Sequence, residues 1–290
     1  MKPPPFRYVR AQALEGALSV LASEGDEAKL LAGGQSLIAM MNLRLVKPQT
    51  LVDINGLSEL DYIRTDNGKL SVGAMTRLAA AERSPELAQA CPLMTEALRY
   101  VAHKPIRNRG TVGGNLAHAD PSSELPAVAL ALDAEFVVRN NGSERRVAAD
   151  DFFVSALTTS MAPEEALTAV EFPGWPGGRG WSFMEISPRK GDYALVGVAV
   201  TLAVENDRCG ACRVVYTGNG DRARRIPEVE SAVAGRAADD DTFQEAGRLA
   251  SSHIEANSDL HASEQYRRDL AGALTQRALA SAAARCRQEV

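Results

Sequence analysis

The most informative stretch of the chain spans residues 107–116 and reads Arg-Asn-Arg-Gly-Thr-Val-Gly-Gly-Asn-Leu. A second stretch, residues 31–37, reads Leu-Ala-Gly-Gly-Gln-Ser-Leu and follows the same plan, a glycine pair flanked by hydroxyl or amide side chains. We name residues 32–36 the first glycine segment and residues 111–115 the second. Glycine lets the backbone approach a ligand with no Cβ in the way, and successive N–H groups in such a turn form an anion site. The pair therefore predicts a diphosphate bound from two sides.

An alternative interpretation treats both segments as tight turns that bind nothing. Neither segment is a dinucleotide fingerprint, because no G-x-G-x-x-G follows a predicted strand, and the chain contains no G-x-x-x-x-G-K-[ST]. A nicotinamide-binding Rossmann fold and a P-loop NTPase are therefore disfavoured.

Composition places the chain among ordinary soluble globular proteins. It has 290 residues, with 32 Lys plus Arg against 37 Asp plus Glu, a net charge of −5 and a mean hydropathy of −0.17. The acidic balance argues against a nucleic-acid binder, which needs a concentrated basic face. No window is apolar enough to span a membrane and no signal peptide is evident, so the expected compartment is the cytoplasm.

Other chemistry is sparse. The four cysteines, Cys91, Cys209, Cys212 and Cys286, include one C-x-x-C, which supplies two ligands where a structural zinc or iron–sulfur site normally needs four. We interpret that motif as a strand–turn–strand and expect no metal site. The histidines are isolated and no serine stands in a G-x-S-x-G elbow, so we expect no catalytic acid, base or nucleophile.

The patterns predict two domains. Short strands at residues 29–32, 50–54 and 69–74 and helices at 11–23, 78–82, 93–101 and 124–132 precede a hairpin at 135–147. A cluster of Gly and Pro at residues 175–180 marks a boundary, which gives domains of 1–176 and 177–290. Beyond it we expect three strands, at 181–187, 195–204 and 212–218, and two helices, at 241–256 and 263–287.

At these residues the sequence resembles a known family, the FAD-binding medium subunit of molybdenum hydroxylases, the xanthine dehydrogenase and aerobic carbon monoxide dehydrogenase group. Besides the two glycine segments, the resemblance includes residues 72–76 (Val-Gly-Ala-Met-Thr), 189–194 (Arg-Lys-Gly-Asp-Tyr-Ala) and 266–271 (Tyr-Arg-Arg-Asp-Leu-Ala). It implies an α+β fold, with a two-lobed FAD domain of the PCMH (vanillyl-alcohol-oxidase) type. A small α/β domain of three strands and C-terminal helices is expected to follow.

The resemblance also implies the cofactor, FAD, and its binding residues. The two glycine segments are expected to hold the diphosphate, the strand before the first segment to run alongside the cofactor, and Tyr193 to lie near the flavin ring. The full set is Lys29, Leu30, Leu31, Ala32, Gly33, Gly34, Gln35, Ser36, Leu37, Thr111, Val112, Gly113, Gly114, Asn115, Asp120, Glu124, Lys190 and Tyr193.

The function that the resemblance implies is electron transfer from a small 2Fe-2S subunit to an external acceptor, within a dimer of heterotrimers that includes a large molybdopterin-binding subunit. Residues 118–126 carry no cysteine, so no additional iron–sulfur cluster is expected in this chain. Leu195 stands where xanthine dehydrogenase has a lysine near the flavin, which argues against NAD as the acceptor. The alternative is a self-sufficient PCMH-type flavoenzyme that acts on a small alcohol or an enol ether.

Overall fold

A computed structural model describes residues 2–288, with side chains to residue 287. The first lobe is a parallel three-stranded sheet in the order β1-β3-β2. The helix after β1 buries the stripe Leu14, Ala17, Leu18 and Leu21 against this sheet. Its elements are β1 (Arg7–Arg10), α1 (Leu14–Glu24), β2 (Ala28–Leu31), α2 (Leu37–Asn42) and β3 (Thr50–Asp53), with 3₁₀ turns at Gly25–Glu27 and Ser58–Leu60.

The second lobe is a five-stranded sheet in the order β4-β5-β10-β6-β7, all of whose pairs are antiparallel. Its helices pack with the sheet into the largest apolar core of the chain. Its elements are β4 (Ile63–Asp66), β5 (Lys69–Gly73), α3 (Leu78–Arg83), α4 (Pro85–Ala90), α5 (Pro92–Ala97), α6 (Lys104–Arg107), α7 (Val112–His118), α8 (Glu124–Ala131), β6 (Glu135–Arg139), β7 (Glu144–Ala148), α9 (Ala149–Phe152), β8 (Phe153–Ser155), β9 (Thr158–Thr159) and β10 (Ala166–Phe172).

The C-terminal part is a four-stranded antiparallel sheet covered by helices, with its own apolar core. The predicted three strands are all present, and a fourth, two-residue strand extends the sheet at its β13 edge. The elements are β11 (Arg179–Ile186), β12 (Val196–Glu205), β13 (Arg208–Thr217), β14 (Arg224–Arg225), α10 (Pro227–Val233), α11 (Asp240–His253) and α12 (Glu264–Gln288). The α+β class is therefore confirmed.

The structure of the C-x-x-C motif differs from the strand–turn–strand that we predicted for it. Cys209 and Cys212 both lie within β13, and the chain reverses earlier, at Asn206 and Asp207, which both have positive φ. Asn and Asp tolerate the left-handed conformation that a tight hairpin requires, so these two residues make the turn.

Aromatic, ionic and hydrogen-bond contacts attach the C-terminal part to the second lobe. Trp175 and Trp181 pack edge to face with ring centroids 5.7 Å apart. Arg285 of α12 forms a two-pronged ion pair with Glu96 of α5, at 2.6 and 3.0 Å. The hydroxyl of Thr217 donates to the carbonyl of Pro121 at 2.8 Å, so the end of β13 lies directly beside the loop that precedes α8.

No helix among the described residues is long and apolar enough to cross a membrane.

Candidate functional site

A cavity of about 1170 Å³ lies where the two lobes and the C-terminal sheet meet. It opens at the carboxyl end of β2, the position where open parallel sheets bind ligands. Most of the sequence-predicted residues line it: Lys29, Leu30, Ala32, Gly33, Gly34, Gln35, Ser36, Leu37, Thr111, Gly113, Gly114, Asn115, Asp120, Glu124 and Tyr193.

Three predicted residues do not line the cavity. Leu31 ends β2 and is half-buried, Val112 is fully buried in the core of the second lobe, and Lys190 is exposed on the loop before Tyr193. These three residues therefore make no contribution to the cavity wall.

The first glycine segment is an irregular turn between β2 and α2. Gly34 has φ of +72°, a conformation that glycine adopts without strain. A Cβ on Gly33 would lie 2.4 Å from the carbonyl oxygen of Arg109, so only glycine lets the first segment approach the backbone just before the second segment this closely. Within the described residues, the amides of residues 33–37 donate to no protein acceptor. The segment therefore presents a run of unpartnered backbone donors beside the cavity.

The second glycine segment differs from the predicted loop, because its glycines occupy the first turn of α7. The hydroxyl of Thr111 caps this helix by accepting from the amide of Gly114 at 3.0 Å. The amide of Gly113 donates to the carbonyl of Ala74 at 2.9 Å, and a Cβ on Gly113 would lie 2.4 Å from the Cβ of Ala74. The glycine pair thus allows α7 to pack closely on the end of β5.

A buried carboxyl group stands beside the second glycine segment. Glu124 begins α8, lines the cavity and is 6% exposed. Burial raises the pKa of its carboxyl to about 7; Asp120 acts in the same direction, whereas its own backbone amide and Arg107 oppose the shift. The preceding Ser123 donates to the side-chain oxygen of Asn115 at 2.7 Å, which ties this loop to the segment.

Tyr193 lines the cavity on the side that is formed by the C-terminal part of the chain. Its side chain is 67% exposed, and partial burial, followed by Asp120 and Glu124, raises the pKa of its phenol. The loop before it turns at Gly191, whose φ is +87° and whose Cβ position would lie 2.5 Å from the imidazole of His103. His103 therefore packs directly under this loop.

Sequence reasoning missed the contribution of residues 218–220 to the cavity. Asn219 is 6% exposed, and neither atom of its amide has a hydrogen-bond partner among the described residues. Gly218 and Gly220, on either side, have φ of +81° and +68°. The Gly-Asn-Gly pattern indicates a turn, but nothing local places that turn at the cavity.

Arg267 also lines the cavity and was not predicted to do so. It is 6% exposed and donates to the carbonyls of Leu195 and Gly218, at 2.7 and 3.0 Å, and to Asp259 at 2.7 Å. Arg267 lies within residues 266–271, which formed part of the family resemblance, but its role as a tie between α12 and two cavity loops depends on the tertiary fold.

No cluster of metal-ligating side chains occurs among the described residues. All four cysteines are buried, and burial raises the pKa of the Cys91 thiol to about 12 and also raises that of Cys212. The raised pKa values keep the thiols of Cys91 and Cys212 protonated and unreactive at neutral pH.

Two family descriptions cover nearly the whole chain. Residues 4–175 match the FAD binding domain in molybdopterin dehydrogenase, and residues 181–282 match the CO dehydrogenase flavoprotein C-terminal domain. Among similar proteins is the 6-hydroxypseudooxynicotine dehydrogenase complex subunit alpha of Paenarthrobacter nicotinovorans. It is 39% identical over 99% of this chain and 97% of its own length.

Solved structures show the same fold. A chain of carbon monoxide dehydrogenase from Hydrogenophaga pseudoflava superposes with a TM-score of 0.96 at 35% identity, over 99% of this chain and 100% of its own. A chain of quinoline 2-oxidoreductase from Pseudomonas putida 86 superposes with a TM-score of 0.94 at 37% identity, over 99% of both chains.

Proposed function

Because the chain belongs to the family of FAD-binding subunits of molybdopterin dehydrogenases, we propose that it carries electrons from a 2Fe-2S subunit to an external acceptor. It is an oxidoreductase subunit whose cofactor is FAD. The observation that carries the proposal is the cavity of about 1170 Å³, which joins both glycine segments, Glu124 and Tyr193 in one space. That volume exceeds the usual range for small-ligand pockets, as a dinucleotide requires.

The residues present fit a bound diphosphate. The amides of residues 33–37 have no protein acceptor, and anions at clustered backbone N–H groups are a recurrent arrangement. The hydroxyl of Thr111 accepts from Gly114 but keeps its own proton available for donation. We assign the diphosphate to the first glycine segment, with Thr111 and Asn115 as side-chain contributors from the second.

The remaining predicted residues are assigned to the rest of the cofactor. Lys29 and Leu30 line the cavity beside the first segment, and Tyr193 and Leu195 line it on the C-terminal side. FAD, when bound, supplies redox chemistry in one-electron or two-electron steps, and the protein adjusts its potential through nearby hydrogen bonds and charge. In this chain Glu124 holds a proton at its carboxyl below about pH 7, and Tyr193 covers the cavity at its exposed end.

We assign the chain to a complex with a large molybdopterin-binding subunit and a small 2Fe-2S subunit, assembled as a dimer of heterotrimers in the cytoplasm. The names of its relatives support a multi-subunit assembly: one is a complex subunit alpha, and others are medium chains of carbon monoxide dehydrogenase. Substrate oxidation would then take place in the large subunit. This chain would connect the iron–sulfur subunit with the acceptor.

The test is to isolate the chain with and without its neighbouring gene products. We expect flavin absorbance with about one FAD per chain, and co-purification with subunits that contain molybdenum and iron. Reduction of the bound flavin by substrate should require all three subunits. A chain that binds no FAD, even when FAD is added, would contradict the cofactor assignment. A chain that alone oxidises an alcohol or reduces an enol ether would favour the alternative flavoenzyme.

A further inference from the structure

Two polar side chains outside the cavity, Asn55 and Arg77, connect the first glycine segment to the backbone just before the second. Asn55 is exposed and Arg77 half-buried, and neither lines the cavity. Any effect they have on a ligand must therefore act through the segments themselves.

Asn55 reaches the first segment because of the strand order. β2 and β3 are parallel neighbours, with Leu31 opposite Asp53, so the residue two positions after Asp53 returns beside the end of β2. The Asn55 amide donates to the carbonyl of Ala32 at 2.8 Å and to that of Leu31 at 3.1 Å. Asp53 in turn accepts from the backbone amide of Asn55 at 2.8 Å, which fixes the orientation of the side chain.

Arg77 extends this connection to the second segment. One guanidinium nitrogen donates to the side-chain oxygen of Asn55 at 2.7 Å, and the other donates to the carbonyl of Arg109. A continuous series of hydrogen bonds therefore runs from Ala32 through Asn55 and Arg77 to Arg109. Its far end is the carbonyl oxygen that would lie 2.4 Å from a Cβ on Gly33, so the series ends where the first segment meets the backbone just before the second.

The first segment has few restraints of its own. Its amides have no protein acceptors, and the Gln35 side chain, which donates to the carbonyl of Gly33 at 3.1 Å, belongs to the same turn. The carbonyls of Gly34 and Ser36 accept from the amides of Ile38 and Met40 in α2, which directly follows the turn. The carbonyl of Leu31 accepts from the amide of Ile54 at 3.2 Å as well as from Asn55, and that of Ala32 accepts from Asn55. A ligand that needs donors from both segments depends on this connection.

We propose that Asn55 and Arg77 are positioning residues that hold the two glycine segments in register for the diphosphate of the cofactor. The inference rests on the proposed function, because it takes FAD as the ligand. The Arg77 fork supplies two nitrogens to two acceptors, a geometry that a lysine ammonium cannot reproduce from one nitrogen.

The experiment measures FAD binding to deflavinated protein by fluorescence quenching. Asn55→Ala and Arg77→Met should each raise the Kd about tenfold, the size expected from losing one or two hydrogen bonds. The double variant should raise it by little more than either single change, because both substitutions break the same series. Arg77→Lys should recover part of the loss.

The matched control is Arg83→Met, which removes one positive charge from the exposed end of α3, the helix that begins directly after Arg77. It should leave the Kd within about twofold of wild type, since an exposed charge has little effect on binding. If Arg77→Met behaves like Arg83→Met, or if the effects of the Asn55 and Arg77 changes multiply, the proposal is wrong.

Hydrogen exchange without FAD separates positioning from a general loss of stability. Asn55→Ala should speed exchange in residues 107–116, most of whose amides are hydrogen-bonded, while β12 and β13 keep wild-type protection. Faster exchange throughout the chain, or unchanged exchange in residues 107–116, would overturn the inference. Failure of wild type to bind FAD would instead overturn the proposed function, and that result is read before any variant is compared.

Discussion

In the first glycine segment the amides of residues 33–37 donate to no acceptor within the described chain, whereas in the second the amides of Val112, Gly113, Gly114 and Asn115 all do. The first is an irregular turn with one glycine at positive φ; the second is the start of a helix with a threonine cap. The same sequence plan therefore produces two different local structures beside one cavity.

The difference separates two uses of a glycine pair. In the first segment the absence of side chains leaves backbone N–H donors free and lets Gly33 lie against the backbone just before the second segment. In the second segment it allows α7 to pack on Ala74, and the donors are consumed by the fold. We infer that the first segment contributes mainly to binding and the second mainly to the framework that positions it.

The largest expected effect tests the inference that the first segment contributes mainly to binding. Gly33→Ala should raise the Kd for FAD by at least about a hundredfold. The new Cβ would lie 2.4 Å from the backbone oxygen of Arg109, so the first segment would have to move away from the backbone just before the second. Gly177→Ala is the control, since a Cβ there meets nothing within 4 Å. Titration of both variants with FAD is the measurement. Wild-type affinity in Gly33→Ala would show that the approach of the segments is irrelevant to binding.

The next largest effect tests the inference that the second segment mainly supports the framework. Gly113→Ala should lower the free energy of unfolding by about 1–3 kcal/mol, because its Cβ would overlap the Cβ of Ala74 in a packed interior. Gly114→Ala should cost less, about 1 kcal/mol, because the nearest atom is the side-chain hydroxyl of Thr111, at 2.7 Å, which can rotate away with the loss of its cap bond. Urea unfolding of the two flavin-free variants checks the order. If Gly114→Ala is the more damaging, the second segment is not mainly a packing element.

The sequence was enough to locate both segments, because their glycine pairs and polar neighbours are local features. It did not reveal that Gly113 and Gly114 are helical. Glycine disfavours helix by about 1 kcal/mol per residue, which predicts a loop. The Thr111 cap and the contact with Ala74 outweigh that preference, and the second of these requires the tertiary fold.

The same limit applies to the rest of the site. Asn55, Asn219 and Arg267 carry no local pattern that points to a cofactor, and each acquires its position from strand order or helix packing. The central strand β10 (Ala166–Phe172) was also absent from the predicted elements, although it joins both halves of the five-stranded sheet. Local patterns thus identified fifteen of the residues that line the cavity, and they missed lining residues such as Asn219 and Arg267 and the supporting residue Asn55.

A third prediction concerns pH and the carboxyl group of Glu124, which lies beside the second segment. The pKa of Glu124 is raised from 4.5 to about 7, so folding takes up a proton between these values, and this group's contribution lowers stability as pH rises from about 4.5 to 7. An ionised Glu124 beside an anionic diphosphate should also weaken FAD binding. We expect the Kd to rise several-fold, up to about tenfold, between pH 6 and pH 8.5.

Glu124→Gln should remove most of this pH dependence, measured as Kd against pH. Glu165→Gln is the matched control, because Glu165 also lines the cavity but its hydrogen bond with Arg145 lowers its pKa, which keeps it ionised throughout the range. Equal slopes for the wild type and Glu124→Gln would mean that another group controls the pH response. A Kd that falls as pH rises would mean that the ionised carboxylate accepts a hydrogen bond from the cofactor.

The smallest expected effect distinguishes the hydroxyl groups of the two segments. Thr111→Ala should cost about 1 kcal/mol of unfolding free energy in the absence of FAD, because the amide of Gly114 loses its cap acceptor at 3.0 Å. Ser36 precedes α2 without a side-chain cap bond, so Ser36→Ala should change stability by less than about 0.5 kcal/mol and weaken FAD binding a few-fold. Thr111→Ser should restore the cap and the stability. A stability loss in Ser36→Ala as large as that in Thr111→Ala would mean that both hydroxyls support the fold, and the division between a binding segment and a framework segment would then fail.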